Sequence, residues 1–251
     1  MIKFFRKIRQ KLLSQHKVTQ YAAYALGEIL LVVIGILIAL QVNTWNEDRV
    51  QRSREVKYLK NIRLDLEKDL ASLDYQIANR KEKYAAIQKL LRQIDGEPVA
   101  DLDELSRSVV TTLMSERFTP NNLTYKELAS SGNLNLISND SIKIQLLELE
   151  ELYKTNEFAI EHETHDYEEY LSKPLFKHIR TGQLFPVYAG TATSVDMGVK
   201  EEDFHELLQN REYQNGMVVS NLITEDLLVL YGAIERKSRS IIRWIGNDLG
   251  E

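Results

Sequence analysis

The chain has 251 residues, 43% of them hydrophobic and 27% charged, with a formal net charge of −5. That length leaves room for one sizeable folded region beside a targeting or membrane segment. Having no cysteine, the chain has no disulfide, thiolate metal centre or cysteine nucleophile, and this leaves its compartment open.

Residues 1–20 carry Lys3, Arg6, Lys7, Arg9, Lys11 and Lys17 and no acid. With Phe4, Phe5, Ile8 and Leu12 on one side, residues 2–14 read as a basic amphipathic helix suited to an anionic membrane surface. Arg6, Lys7, Arg9 and Lys11 are its expected interface anchors. A cationic cluster abutting an apolar run acts as a topology determinant, so no nucleic-acid partner is expected.

The apolar run is YAAYALGEILLVVIGILIALQV, Tyr21 to Val42. A spanning helix needs about 20 apolar residues, and the stretch from Ile29 to Leu40 alone is too short. The span therefore takes in Tyr21 to Gly27 and carries Glu28 into the membrane. Alternating steps of four and three residues put Tyr21, Ala25, Glu28, Val32, Gly35, Ala39 and Val42 on one stripe. Gly35 and Ala39 form a small-xxx-small pair that lets two backbones approach closely in lipid. Lipid cannot satisfy a carboxylate, so the stripe is expected to meet protein, either a second copy or another membrane protein. The other readings are a Glu28 that reaches up to the interface, or one that lines an ion path. Trp45 follows as an anchor at the headgroup level.

The basic flank before the span predicts a cytoplasmic N-terminus and an extracytoplasmic remainder. No A-x-A-like site precedes LQVNTWNEDR, so the segment reads as an uncleaved anchor. The domain reading is 1–20 basic segment, 21–45 membrane helix and 46–251 helical domain.

From Ile36 to Asp95 there is no glycine or proline, so the membrane helix is expected to continue into the soluble region. Leu59, Ile62 and Leu66 begin an apolar seam. Leu70, Leu73, Ile77, Arg80, Tyr84, Ile87, Leu91 and Ile94 continue it after an extra four-residue step that reads as a stutter. Gly96 and Pro98 end the helix.

A shorter helix follows at 102–116, with Leu105, Val109 and Leu113 inward. Then RFTPNNLTYKELASSGNLNLISND is dense in turn chemistry: Thr124 with Glu127 reads as a capping box, Gly132 as a C-terminal cap, and Asn139 or Asp140 as the next N-cap. Residues 141–173 carry an unbroken seam of Ile142, Leu146, Leu149, Tyr153, Asn156, Ile160, Glu163, Tyr167 and Tyr170, ended by Pro174. Residues 178–200 lack a period and read as an irregular excursion. A short helix at 201–209 leads into the last one, about 211–246, with Met217, Leu227, Tyr231, Ile234, Ile241 and Ile245 inward. Glu225 and Asp226 interrupt its apolar patch and argue against a second span. The fold class is therefore all-α: a transmembrane helix running into a long helix, then an antiparallel helical bundle.

Catalytic signatures are missing: there is no Gly-rich phosphate loop and no G-x-S-x-G. The cluster Glu161-His162-Glu163-Thr164-His165-Asp166 is not H-E-x-x-H. Its seam turns Glu163 inward and both histidines outward, so no metal is expected. Only Glu202 to His205 has the Glu-x-x-His spacing of a di-metal bundle. His16 and His178 read as surface histidines. The expectation is no catalytic residue and no cofactor.

MIKFFRKIRQKLLS, GEILLVVIGILIALQVNTWNE and TYKELASSGNLNLI together resemble a family of bacterial inner-membrane proteins, common in Bacteroidota and known only as a domain of unknown function. The resemblance implies a single N-terminal span followed by a helical domain, and supplies no activity or site. The leading functional expectation is a non-enzymatic, membrane-anchored protein acting through protein contacts, as an oligomeric assembly, scaffold or extracytoplasmic sensor. The alternatives are a homo-oligomeric pore with a ring of Glu28, and a ligand-sensing bundle whose small molecule the sequence does not identify. Membrane lipid is the expected partner in each case.

Overall fold

The computed structural model describes residues 18–114 and 116–251. It is all-α, with no strand among the described residues. The chain divides into two compact units, Met1–Val56 and Lys57–Glu251, and helix α1 (Val18–Ile94) contributes to both.

In the first unit, the described residues are the N-terminal part of α1. Its apolar side chains from Leu26 to Val42 are exposed. A window long and apolar enough to cross a membrane lies here, and none of it is buried.

In the second unit, α1 is joined by α2 (Leu102–Leu113), α3 (Leu123–Ser130), a 3-10 turn (Asn133–Leu136) and α4 (Asp140–Asp166). A π-helical segment (Tyr167–Ser172) connects α4 to α5 (Lys173–His178), followed by α6 (Thr181–Tyr188), α7 (Glu201–Leu208) and α8 (Arg211–Leu249). Asp101 caps α2, accepting from the backbone N–H groups of Asp103 and Glu104 at 2.8 and 3.1 Å. Asn139 caps α4 through Ser141 N–H at 3.1 Å. Gly132 closes α3 at φ +70°, a left-handed conformation that glycine adopts without Cβ strain.

The seam of α1 differs from its apolar pattern. Leu59, Ile62, Leu66, Asp69, Leu73, Gln76, Arg80, Lys83, Ile87 and Leu90 are buried, in strict alternation of three and four residues. There is no stutter. The apparent slip arises because Asp69, Gln76 and Lys83 occupy inward positions, while Leu70, Ile77, Tyr84 and Leu91 flank them half-buried.

Helix direction follows from residue pairs. Asp69 meets Tyr153 and Arg80 meets Glu163, so α1 and α4 run the same way. Glu148 meets Lys237 and Asn139 meets Asp248, so α8 runs opposite to α4; Gln88 meeting Asn221 and Arg80 lying over Tyr231 set it opposite to α1. Antiparallel neighbours throughout would not give this pattern. The segment between α1 and α4, which includes α2 and α3, returns the chain to the starting end.

Three expectations for the connecting segments are corrected. Thr124 and Glu127 do not form a capping box: Thr124 donates to Asp65 at 2.6 Å and Glu127 accepts from Tyr58 at 3.0 Å, so both fasten α3 to α1. Pro174 does not end α4; the backbone stays helical through the π-helical segment and into α5, where Pro174 is buried in the first turn. The excursion at 178–200 contains α6 despite Pro186, because Leu184 and Val187 are buried and α6 packs on α2.

Two apolar clusters form the core. One joins Leu59–Leu73 of α1 to Ile142–Tyr153 of α4 and Leu227–Ile245 of α8. The other gathers Ile87 and Leu90 with Leu105, Val109, Leu171, Leu175, Phe204, Tyr213 and Met217. Along each helix, polar side chains separate them: Gln76, Arg80 and Lys83 on α1, Glu163 on α4, Ser220 and Thr224 on α8.

Candidate functional site

Of the residues that sequence singles out, the stripe lies in the first unit. Glu28, Val32, Gly35, Ala39 and Val42 fall on unbroken helix, so their spacing does place them on one face. Val32, Gly35, Ala39 and Val42 are exposed and Glu28 is partly so. A Cβ added at Gly35 would meet nothing within 4 Å. Trp45 is exposed with the Arg49 guanidinium 5.8 Å from its ring centroid, within cation–π range. Arg6, Lys7, Arg9, Lys11 and His16 lie outside the described residues, as does the side chain of Tyr21.

The second unit holds a charged centre that sequence reasoning only half saw. Glu163 accepts two hydrogen bonds from Arg80, at 2.5 and 2.7 Å, and one from Lys83 Nζ at 2.9 Å. Exposure is 3% for Arg80, 6% for Lys83 and 5% for Glu163, so the three charges are withdrawn from water. Burial alone would raise the Glu163 pKa, but the Arg80 hydrogen bonds and the two cationic charges outweigh it and hold the carboxyl at about 2. Burial pushes the Lys83 ammonium below its ordinary value despite the attraction of Glu163. Two basic side chains therefore share one carboxylate.

The signal for this centre was present as a charged residue in each of two apolar seams, Arg80 and Glu163. Lys83 carried none, because the assumed stutter turned it outward. The His162 ring lies tilted against Phe158 with centroids 4.4 Å apart, and both it and His165 are exposed. Glu202 and His205 are also exposed. Among the described residues, no group of three or more His, Asp or Glu side chains is placed to hold a metal ion. His178 is not a plain surface histidine: its side chain is mostly buried, with Nδ1 3.0 Å from Glu206.

A second polar anchor lies on the same face of α1. Fully buried Asp69 accepts from Asn121 N–H at 2.7 Å, from the Asn121 amide at 2.9 Å and from the Tyr153 hydroxyl at 2.6 Å. It fastens the turn around Asn121 to both α1 and α4. Just past Glu163, the π-helical segment inserts one residue per turn, so Tyr170 turns out and Leu171 turns in. Gly216 makes room for it: a Cβ there would lie 2.7 Å from Leu171 Cδ2 and 2.8 Å from Tyr170 Cβ.

These observations define a class: an all-α protein with an exposed apolar helix in one unit and, in the other, a helical core crossed by a buried ionic layer. The chain belongs to a family of unknown function (DUF6090), whose profile matches residues 28–207. The match takes in Glu28, Arg80, Lys83 and Glu163 and stops before α8. No curated protein and no solved structure matches the chain.

Proposed function

We propose that this protein is a non-enzymatic, single-span membrane protein that associates through its apolar helix and acts through protein contacts. Residues 21–45 form the span, the basic segment 1–20 stays on the cytoplasmic side, and residues 46–251 form an extracytoplasmic helical bundle. The observation that carries this reading is the apolar window of α1, in which no residue is buried. A contiguous exposed apolar surface of this kind marks a membrane or a partner. At about 1.5 Å per residue, residues 21–45 reach across a hydrocarbon core of about 30 Å.

The α8 helix also passes the same length-and-composition test, but a third of its apolar window is buried and its inward residues belong to the core. We assign it to the bundle. Association through the stripe is supported by the open space at Gly35, which with Ala39 on the same face lets a second backbone approach closely. The test is the mass of the detergent-extracted particle for the wild-type chain, Glu28→Leu and Gly35→Leu. An oligomer that falls to a monomer in the variants supports the stripe as the contact. An unchanged mass refutes it, and recovery of the chain in the aqueous fraction without detergent refutes the span itself.

A further inference from the structure

The ionic layer borders a cavity of about 150 Å³. A water needs about 10–15 Å³ of such space, so the cavity admits a molecule of several heavy atoms and excludes a drug-sized one. Buried Arg80, Lys83 and Gln76 line it from α1, Thr111 and Met114 from the α2 end, and exposed Tyr75, Glu82, Glu116 and Tyr188 sit at its mouth. A wider cleft of about 660 Å³ between the end of α1 and α7 has solvated walls in which only Phe204 is buried.

The charges of the smaller cavity are unevenly placed. Arg80 and Lys83 share a single buried carboxylate, Glu163, so basic side chains outnumber acidic ones at the cavity floor. Lys83 Nζ donates to Glu163, and an ammonium has three donors. Arg80 Nε and Gln76 Oε1 are buried without a hydrogen-bond partner. The rim has the opposite sign: Glu82 is exposed, and Glu116 is held in place by the Tyr75 hydroxyl at 2.8 Å and the Asn79 amide at 2.9 Å. A bare anion would be attracted by the floor and repelled at the mouth, and a bare cation the reverse. A molecule carrying both charges satisfies both ends.

We infer that this cavity is a binding site for a small zwitterion of the amino-acid type, its carboxylate at Lys83 and its ammonium toward Glu116 and Glu82. The site residues on α1 all lie beyond the proposed span, residues 21–45, so the inference stands apart from that span. Binding would join α1, the α2 end and Tyr188 around the ligand, which gives the second unit a way to register a solute.

The test uses the full chain in detergent, with isothermal titration and thermal unfolding in glycine, L-alanine, acetate or ethylamine at matched ionic strength. Saturable binding of glycine or alanine, with a rise in unfolding midpoint that acetate and ethylamine do not reproduce, supports the site. Lys83→Met should weaken that binding by about tenfold or more through loss of a charged hydrogen bond. Glu116→Gln lies on the exposed rim and leaves the core intact, so it tests the ammonium end even if Lys83→Met fails to fold. It should weaken alanine binding while improving acetate binding. Equal responses to all four solutes, no saturable heat, or unaltered affinity in Glu116→Gln overturns the inference.

Discussion

Replacing Glu163 with glutamine leaves the shape of the α1–α4 contact almost unchanged and removes the negative charge to which Arg80 and Lys83 are hydrogen-bonded. The gap between an ordinary 4.5 and about 2 for this carboxyl corresponds to about 3 kcal/mol of favourable interaction with the ionised form. Breaking one partner of a buried pair costs about 3–5 kcal/mol, because the remaining charge stays buried without compensation. For a folded unit of this size, that lowers the unfolding midpoint by about 10 °C or more. The assay is thermal and denaturant unfolding of the full chain in detergent, followed by helical circular dichroism. The control is the charge-free triple variant Arg80→Met, Lys83→Met and Glu163→Leu, which should be within a few kcal/mol of wild type, or above it, because apolar isosteres of a buried ionic cluster carry no desolvation cost. A Glu163→Gln variant within about 1 kcal/mol of wild type refutes the reasoning, as does a triple variant that falls as far as the single one.

Three further outcomes follow from the same geometry. A folded-state pKa near 2 means that Glu163 contributes its stability in full above about pH 4.5 and loses it as pH falls towards 2, so acid unfolding should be less steep in Glu163→Gln than in wild type. An equal slope would remove Glu163 from the account. Gly216→Ala should cost about 1–3 kcal/mol, since its Cβ would press on Leu171 and on the backbone of Tyr170; calorimetry showing an unchanged midpoint would mean that the π-helical segment yields freely. Tyr153→Phe removes one of the three hydrogen bonds to buried Asp69 and should cost about 1–3 kcal/mol, read from denaturant midpoints and refuted by a neutral result.

Much of the helical layout was visible as spacing. The inward positions of α8 and the α4 seam as far as Glu163 follow from apolar residues three and four apart, because burying a stripe is what makes a helix stable in a protein. The same reasoning failed where polar side chains hold inward positions. Asp69 and Lys83 look like surface residues until their partners, Asn121 and Tyr153 for the first and Glu163 for the second, are known, and those partners are far away in sequence. The π-helical segment is a shift of one residue and leaves no mark in composition, so Tyr170 was placed on the wrong side of it, while Tyr167 still packs against the core. Thr124 and Glu127 have the spacing of a local cap, yet tertiary bonds to Asp65 and Tyr58 claimed them. The apolar stripe around Glu28 was legible in full because it depends only on helical period. The small cavity beside Lys83 was not, since it requires three separate segments to converge.

The same-direction pairing of α1 and α4 has a kinetic consequence. Two helices that leave the ribosome early cannot close their shared groove by a simple hairpin, and the element that fills it, α8, is synthesised after both. Tyr231, Ile234, Ile241 and Ile245 complete the larger apolar cluster, so the nascent chain holds sticky surface open until about eighty residues beyond α4 have emerged. Assembly must therefore be late and highly non-local, a regime of slow folding. A chaperone that shields that groove during synthesis would have its substrate defined by where the final helix will dock.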